Sequence, residues 1–172
     1  MSKEAKFISF VMILLMLSVG VFAYFNRGDV AYKEYLQEES IFEITVDDHK
    51  HLVDMEYLID LKPVDIVANL DTSTTEPTDI FLKGVELKVI FDSFDIDYSN
   101  IDSVVFKSLD GYSSAITYDE LIQEDNIYIC FSLDDKPLLT KAQGGMGPYL
   151  MIIQSSKFSQ RWCKYIQEIY LQ

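Results

Sequence analysis

The chain has 172 residues, 49% of them hydrophobic, and a formal charge of −14. That is enough to bury one sizeable core, with little left over for a second domain. Of the charged residues only Lys3, Glu4, Lys6 and Arg27 lie in the first 27 positions, so the rest carries 27 acids against 11 bases, a surface that repels phosphate backbones and excludes nucleic acid as a natural partner.

Residues 1–6 carry Lys3 and Lys6, and the uncharged run Phe7 to Phe25 follows. As a helix its 19 residues span roughly 28 Å, close to the hydrocarbon thickness of a bilayer. Two lysines before the run and an acidic bulk after it place the N-terminus in the cytoplasm and the remaining chain outside. The pattern therefore reads as a single-pass transmembrane anchor at the cell membrane. A second reading stays open: Val21 and Ala23 are small residues of the kind a signal peptidase reads, which would make the chain secreted after cleavage. Residues 26–40 read as a spacer with some helical character, and residues 41–172 as the folded domain.

Within that domain, Phe42, Ile44 and Val46 alternate with Glu43, Thr45 and Asp47, the pattern of a half-buried strand. Asp47 to Lys50 reads as a turn, and His49 with His51 as an exposed pair without a metal. Asp54 is placed to cap a helix over Met55 to Leu61, with Met55, Leu58 and Ile59 inward and Pro63 ending it. A strand over Val64 to Leu70 leads into a polar loop, Asp71 to Pro77. Leu87, Ile90, Phe91 and Phe94 then make one apolar helix face, which is core.

Val104 to Ser108, the turn Asp110-Gly111 and Tyr112 to Thr117 read as a hairpin, followed by a short helix from Tyr118 whose Asp119 and Glu120 suit its positive end. Asn126 to Leu133 is almost continuously apolar and predicts a central strand buried on both faces. The stretch from His51 through Asp54 to Leu70 faintly echoes the stretch from Ile116 through Asp119 to Leu133: strand end, capped helix, strand. Cys130 and Cys163 read as buried hydrophobes, and an extracytoplasmic location would also permit a disulfide between them. Gln143 to Pro148 is a glycine-rich loop whose glycines predict positive φ angles, without the lysine and hydroxyl of a phosphate loop. No serine or cysteine stands in a nucleophile elbow with a histidine partner, so hydrolytic triads find no support.

Taken together, Thr72-Ser73-Thr74 before Pro77, Gly84-Val85-Glu86-Leu87, Ser108 with Asp110-Gly111-Tyr112, Asp119-Glu120-Leu121, Lys136-Pro137-Leu138, Gly147-Pro148 with Leu150, and Arg161-Trp162 with Lys164 stand in an order that resembles the stand-alone molybdopterin-binding domain of the sulfite-oxidase family, over Phe42 to Gln172. The resemblance implies an α+β fold, β-rich with short helices, and an oxidoreductase-like ancestry. It implies molybdopterin as cofactor, with Arg161 and Lys164 facing its phosphate. Asp71 and Thr72 stand where the family's molybdenum-ligating cysteine is expected, and the glycine-rich loop has no histidine. A hard oxygen ligand does not replace a thiolate in such a centre. The expected function is a membrane-anchored extracytoplasmic domain without sulfite-oxidase-type catalysis. The alternatives are a molybdopterin-dependent oxidoreductase with a non-cysteine ligand and a cofactor-free surface interaction module.

Overall fold

The computed structural model describes residues 3–47, 49–72 and 75–172. The expected turn residue Asp48 and the loop residues Ser73 and Thr74 lie outside them, as do Met1 and Ser2. The chain divides into two units, residues 1–35 and 36–172. The first is helical: α1 runs from Lys3 to Glu38, and its apolar side chains between Phe7 and Phe25 are almost all exposed. By length and composition α1 is able to cross a membrane, and a signal sequence meets the same description.

The second unit is a mixed α+β fold of two sheets. The first sheet has the order β2-β1-β11-β5-β6, from β1 (Phe42–Val46), β2 (His49–Val53), β5 (Ser103–Ser108), β6 (Ser113–Thr117) and β11 (Ile166–Leu171). Its one parallel pairing joins β1 to β11. The second sheet has the order β10-β9-β7-β4-β3, from β3 (Val64–Thr72), β4 (Thr75–Glu86), β7 (Ile127–Leu133), β9 (Leu150–Ile153) and β10 (Cys163–Lys164), with β8 (Lys136–Pro137) paired to β7. One buried cluster takes side chains from both sheets, among them Phe42, Ile44 and Phe106 from the first and Ile66, Leu82 and Ile129 from the second.

Three short helices connect these strands. In α2 (Met55–Asp60), the Asp54 carboxylate accepts the Tyr57 N–H at 2.8 Å, the expected cap. Leu58 is buried as expected, but Ile59 is exposed, because a helix of six residues offers the core only one narrow stripe. In α3 (Leu87–Ser93), Leu87, Ile90 and Phe91 are buried on the expected face. In α4 (Tyr118–Ile122), the capping partner is Thr117, which accepts the Glu120 N–H while the Glu120 carboxylate takes the Thr117 N–H. The faint internal echo corresponds to real structure: β2–α2–β3 and β6–α4–β7 each carry the chain from an edge of the first sheet, over a capped helix, into the second.

Two expected loops are shorter than the polarity of their residues suggests. His49 and Lys50 already belong to β2, paired with Val46 and Thr45, so the turn closes at Asp47, whose φ is 46°. The stretch from Asp71 to Pro77 is mostly strand: β3 continues to Thr72 and β4 begins at Thr75, opposite Thr72. Cross-strand pairing outweighs the turn preference of a threonine-rich run there. The long strand β4 also bulges between Lys83 and Gly84. A Cβ on Gly84 would lie 2.5 Å from the Ile129 carbonyl oxygen, so the close approach of β7 requires glycine.

Candidate functional site

Three chain segments that are distant in sequence converge on one cleft of about 280 Å³. Leu70 and Thr72 enter from the end of β3, Ser108, Asp110 and Tyr112 from the β5–β6 hairpin, and Trp162 and Lys164 from the chain around β10. The turn Ser159–Arg161 ties them together. Ser159 donates its hydroxyl to the Asp71 carbonyl at 2.6 Å, Tyr112 donates to the Gln160 carbonyl at 2.8 Å, and Ser114 donates to the Arg161 carbonyl at 2.6 Å. Three consecutive carbonyl or hydroxyl groups of one turn thus hold an end of the second sheet against a hairpin of the first.

The two expected basic residues separate here. Arg161 turns to α4, where its guanidinium meets both carboxylate oxygens of Glu120, at 2.6 and 3.0 Å, and donates to the Ala115 carbonyl at 2.8 Å. This bidentate contact lowers the Glu120 pKa and raises that of Arg161. Arg161 is not among the residues lining the cleft, whereas Lys164 is. Among the described residues the Lys164 ammonium group forms no ion pair or hydrogen bond.

Asp110 brings a negative charge to the same cleft. The Ser108 hydroxyl beside it, and then the Tyr112 N–H donated at 3.1 Å, hold its carboxyl below the usual carboxylate range. Lys141 approaches it at 3.8 Å from outside the cleft. Trp162 is 5% exposed, and its indole N–H has no acceptor among the described residues. An indole nitrogen can only donate, so this is a buried polar group left unsatisfied. In the sequence Trp162 is visible as the neighbour of the basic pair Arg161 and Lys164, whereas Asp110 is visible only through the segments that carry the family resemblance.

The cysteines lie elsewhere. Both are buried free thiols, Cys130 on β7 and Cys163 on β10. Burial pushes both thiols up, that of Cys163 to about 12. Met151 of β9 pairs with Ile129 on one side and Cys163 on the other, so Cys163 shares a row with Ile129 and Cys130 faces the opposite side of the sheet. Two strand spacings, about 9.6 Å, separate β7 from β10, beyond the roughly 7 Å a disulfide tolerates between Cα atoms. The extracytoplasmic disulfide that the sequence would permit therefore does not form.

The glycine-rich loop is held by packing. Only Gly144 takes a positive φ, 78°. A Cβ on Gly145 would lie 2.1 Å from the Leu139 carbonyl oxygen, and one on Gly147 2.4 Å from the Leu138 Cβ. Tyr165 donates to the Gly145 carbonyl at 2.7 Å, so that oxygen is also occupied. His49 and His51 sit on β2, away from the cleft lining, with the His51 ring 4.8 Å from that of Phe94. A wider groove of about 450 Å³ borders β3 and β4, but Lys83 there already meets Asp65 at 3.4 Å and Asp135 at 3.6 Å.

No protein-family model and no curated protein matches the chain. Among solved structures, it is similar to the sulfane dehydrogenase SoxCD from Paracoccus pantotrophus, with a TM-score of 0.61 at 11% identity. The match covers 76% of this chain and 37% of that one, so the chain spans little more than a third of the length of its neighbour. At that identity the likeness is one of fold, and the fold is sulfite-oxidase-like.

Proposed function

We propose that the chain is a membrane-anchored, extracytoplasmic binding domain that keeps a sulfite-oxidase-like fold and works without sulfite-oxidase-type catalysis. The observation that carries this reading is the donor set of the cleft. A molybdenum–dithiolene centre takes a soft thiolate as its protein ligand, and Asp71 and Thr72 supply only oxygen where β3 reaches the cleft. The two thiols are buried elsewhere and held protonated. Of the two bases matched to the cofactor phosphate, Arg161 is engaged by Glu120, which leaves Lys164 to face a phosphate beside the carboxylate of Asp110. These residues do not fit molybdopterin. Anchoring by α1, with Lys3 on the cytoplasmic side, is supported by the uncharged run Phe7 to Phe25.

One observation favours a molybdopterin-dependent oxidoreductase with a non-cysteine ligand instead: the fold shared with part of a sulfane dehydrogenase. Molybdenum and pterin measured in the protein purified from its own host separate the two readings. The binding-domain reading predicts far less than one equivalent of each, and a stoichiometric content of both overturns it. The anchor has its own check. The full-length chain should stay with membranes, and protease added to intact cells should reach the acidic domain. Recovery of a soluble chain beginning at Tyr24 establishes a cleaved signal peptide in place of the anchor.

A further inference from the structure

We infer that the cleft between Leu70, Asp110, Trp162 and Lys164 takes a compact zwitterion of net charge zero, of the α-amino acid class. The inference rests on reading this cleft as a ligand site free of molybdopterin. It starts from charge. The lining carries one carboxylate, Asp110, and one ammonium group, Lys164, so its complement is a molecule bearing one charge of each sign. Lys164 has no partner among the described residues. Asp110 accepts the Tyr112 N–H, is held by the Ser108 hydroxyl and pairs with Lys141 at 3.8 Å; a carboxylate offers about four lone-pair sites, so one remains for an incoming ammonium group.

Hydrogen-bond chemistry points the same way. Lysine and indole nitrogens are donors only, and the Trp162 N–H lacks an acceptor. A carboxylate supplies two acceptor oxygens, one for the Lys164 ammonium group and one for the indole N–H, which is buried and is reached only if the Trp162 ring turns toward the cleft. Leu70 and the body of the Trp162 ring add apolar surface for a short side chain. About 280 Å³ admits a small amino acid. The surroundings disfavour a bare anion: the protein carries a formal charge of −14, and a phosphate dianion on Lys164 would meet the Asp110 carboxylate. A neutral zwitterion brings its own ammonium group to Asp110 and avoids that repulsion.

Trp162 is the single tryptophan of the chain, so its emission reports on the cleft directly. The full-length protein in detergent is titrated with glycine, serine, leucine, acetate, methylammonium and inorganic phosphate, with calorimetry as a second readout. At least one amino acid should saturate below about 1 mM, while acetate and methylammonium, each carrying only one of the two charges, should bind roughly tenfold or more weakly. Asp110→Asn and Lys164→Gln should each weaken the amino acid by a similar factor, with thermal melts showing that the variants remain folded. Inorganic phosphate binding more tightly than every amino acid overturns the inference, as does no saturation by any amino acid up to 10-fold above that limit or unchanged affinity in both folded variants. Molybdenum and pterin content measured on the same preparation keeps the two failures apart. A metal-free protein that ignores amino acids sinks only this inference, whereas a stoichiometric cofactor sinks the reading beneath it.

Discussion

The passages β2–α2–β3 and β6–α4–β7 use one local plan and meet different ends. Each leaves an edge of the first sheet, caps a helix with the side chain just before it, and enters the second sheet. The first delivers β3, an edge strand on which Val64 and Val67 stay exposed. The second delivers β7, whose residues from Ile127 to Ser132 are all buried. The caps differ as well: Asp54 acts alone, while Glu120 belongs to a capping box and also holds Arg161. Local sequence sets the plan of each passage, and the number of flanking strands sets how much burial it gains.

The largest way to break this contrast is at the strand between the two products. Gly84→Ala forces a Cβ into the Ile129 carbonyl, and because the obstacle is backbone, the variant should lose about 3 kcal/mol or more in urea unfolding, or fail to fold. Ile129→Ala, on β7 itself, should cost about 2–5 kcal/mol by opening a cavity in a wholly buried strand. Stability changes below 1 kcal/mol at both positions would mean that β7 is not the centre of the core.

Effects at the caps should be smaller. Glu120→Gln removes the carboxylate that serves both the capping box and Arg161, and should cost about 1–2 kcal/mol at neutral pH, given that Arg161 is half exposed. Its pH dependence has a definite sign. The folded pKa of Glu120 is depressed, so its contribution is fully present above the ordinary glutamate value, about 4.3, and fades as the pH falls through the folded value. The wild-type advantage over Glu120→Gln should therefore be flat near neutrality and shrink in strong acid; a gap that widens on acidification contradicts the assignment. Asp54→Ala, a lone cap, should cost about 1 kcal/mol. Val67→Ser, on the exposed face of the edge strand, should stay within about 0.5 kcal/mol in the same assay.

Much of this plan is legible in the sequence, for identifiable reasons. The continuous apolar run of β7, the alternation of β1 and the Asp110-Gly111 hairpin follow from periodicity and turn chemistry, which are local properties. The twelve residues of β4 are not legible, because Pro77 and the threonine-rich run before it read as loop until β3 is known to lie alongside. The glycines at 145 and 147 are visible as glycines, but their reason is the nearness of Leu138 and Leu139, which no local pattern encodes. The cleft is legible in part. Arg161 and Lys164 can be found as a basic pair, yet the choice between them depends on Glu120, 41 residues earlier in the chain. Trp162 and Asp110 acquire meaning only when the hairpin and the last turn are folded against each other.

The position of β11 bears on how the molecule is made. Ile166–Leu171 lies between β1 and β5, pairing parallel with one and antiparallel with the other. Until that segment emerges from the ribosome, the first sheet exists only as two separate hairpins, each with an unpaired strand edge open to stray partners. The contact from Glu43 to Glu168 closes almost the whole length of the domain, so the entropy of a very long loop must be overcome late. Assembly of the first sheet therefore waits on β11, and a chain stalled before Ile166 leaves both hairpins without the strand that joins them.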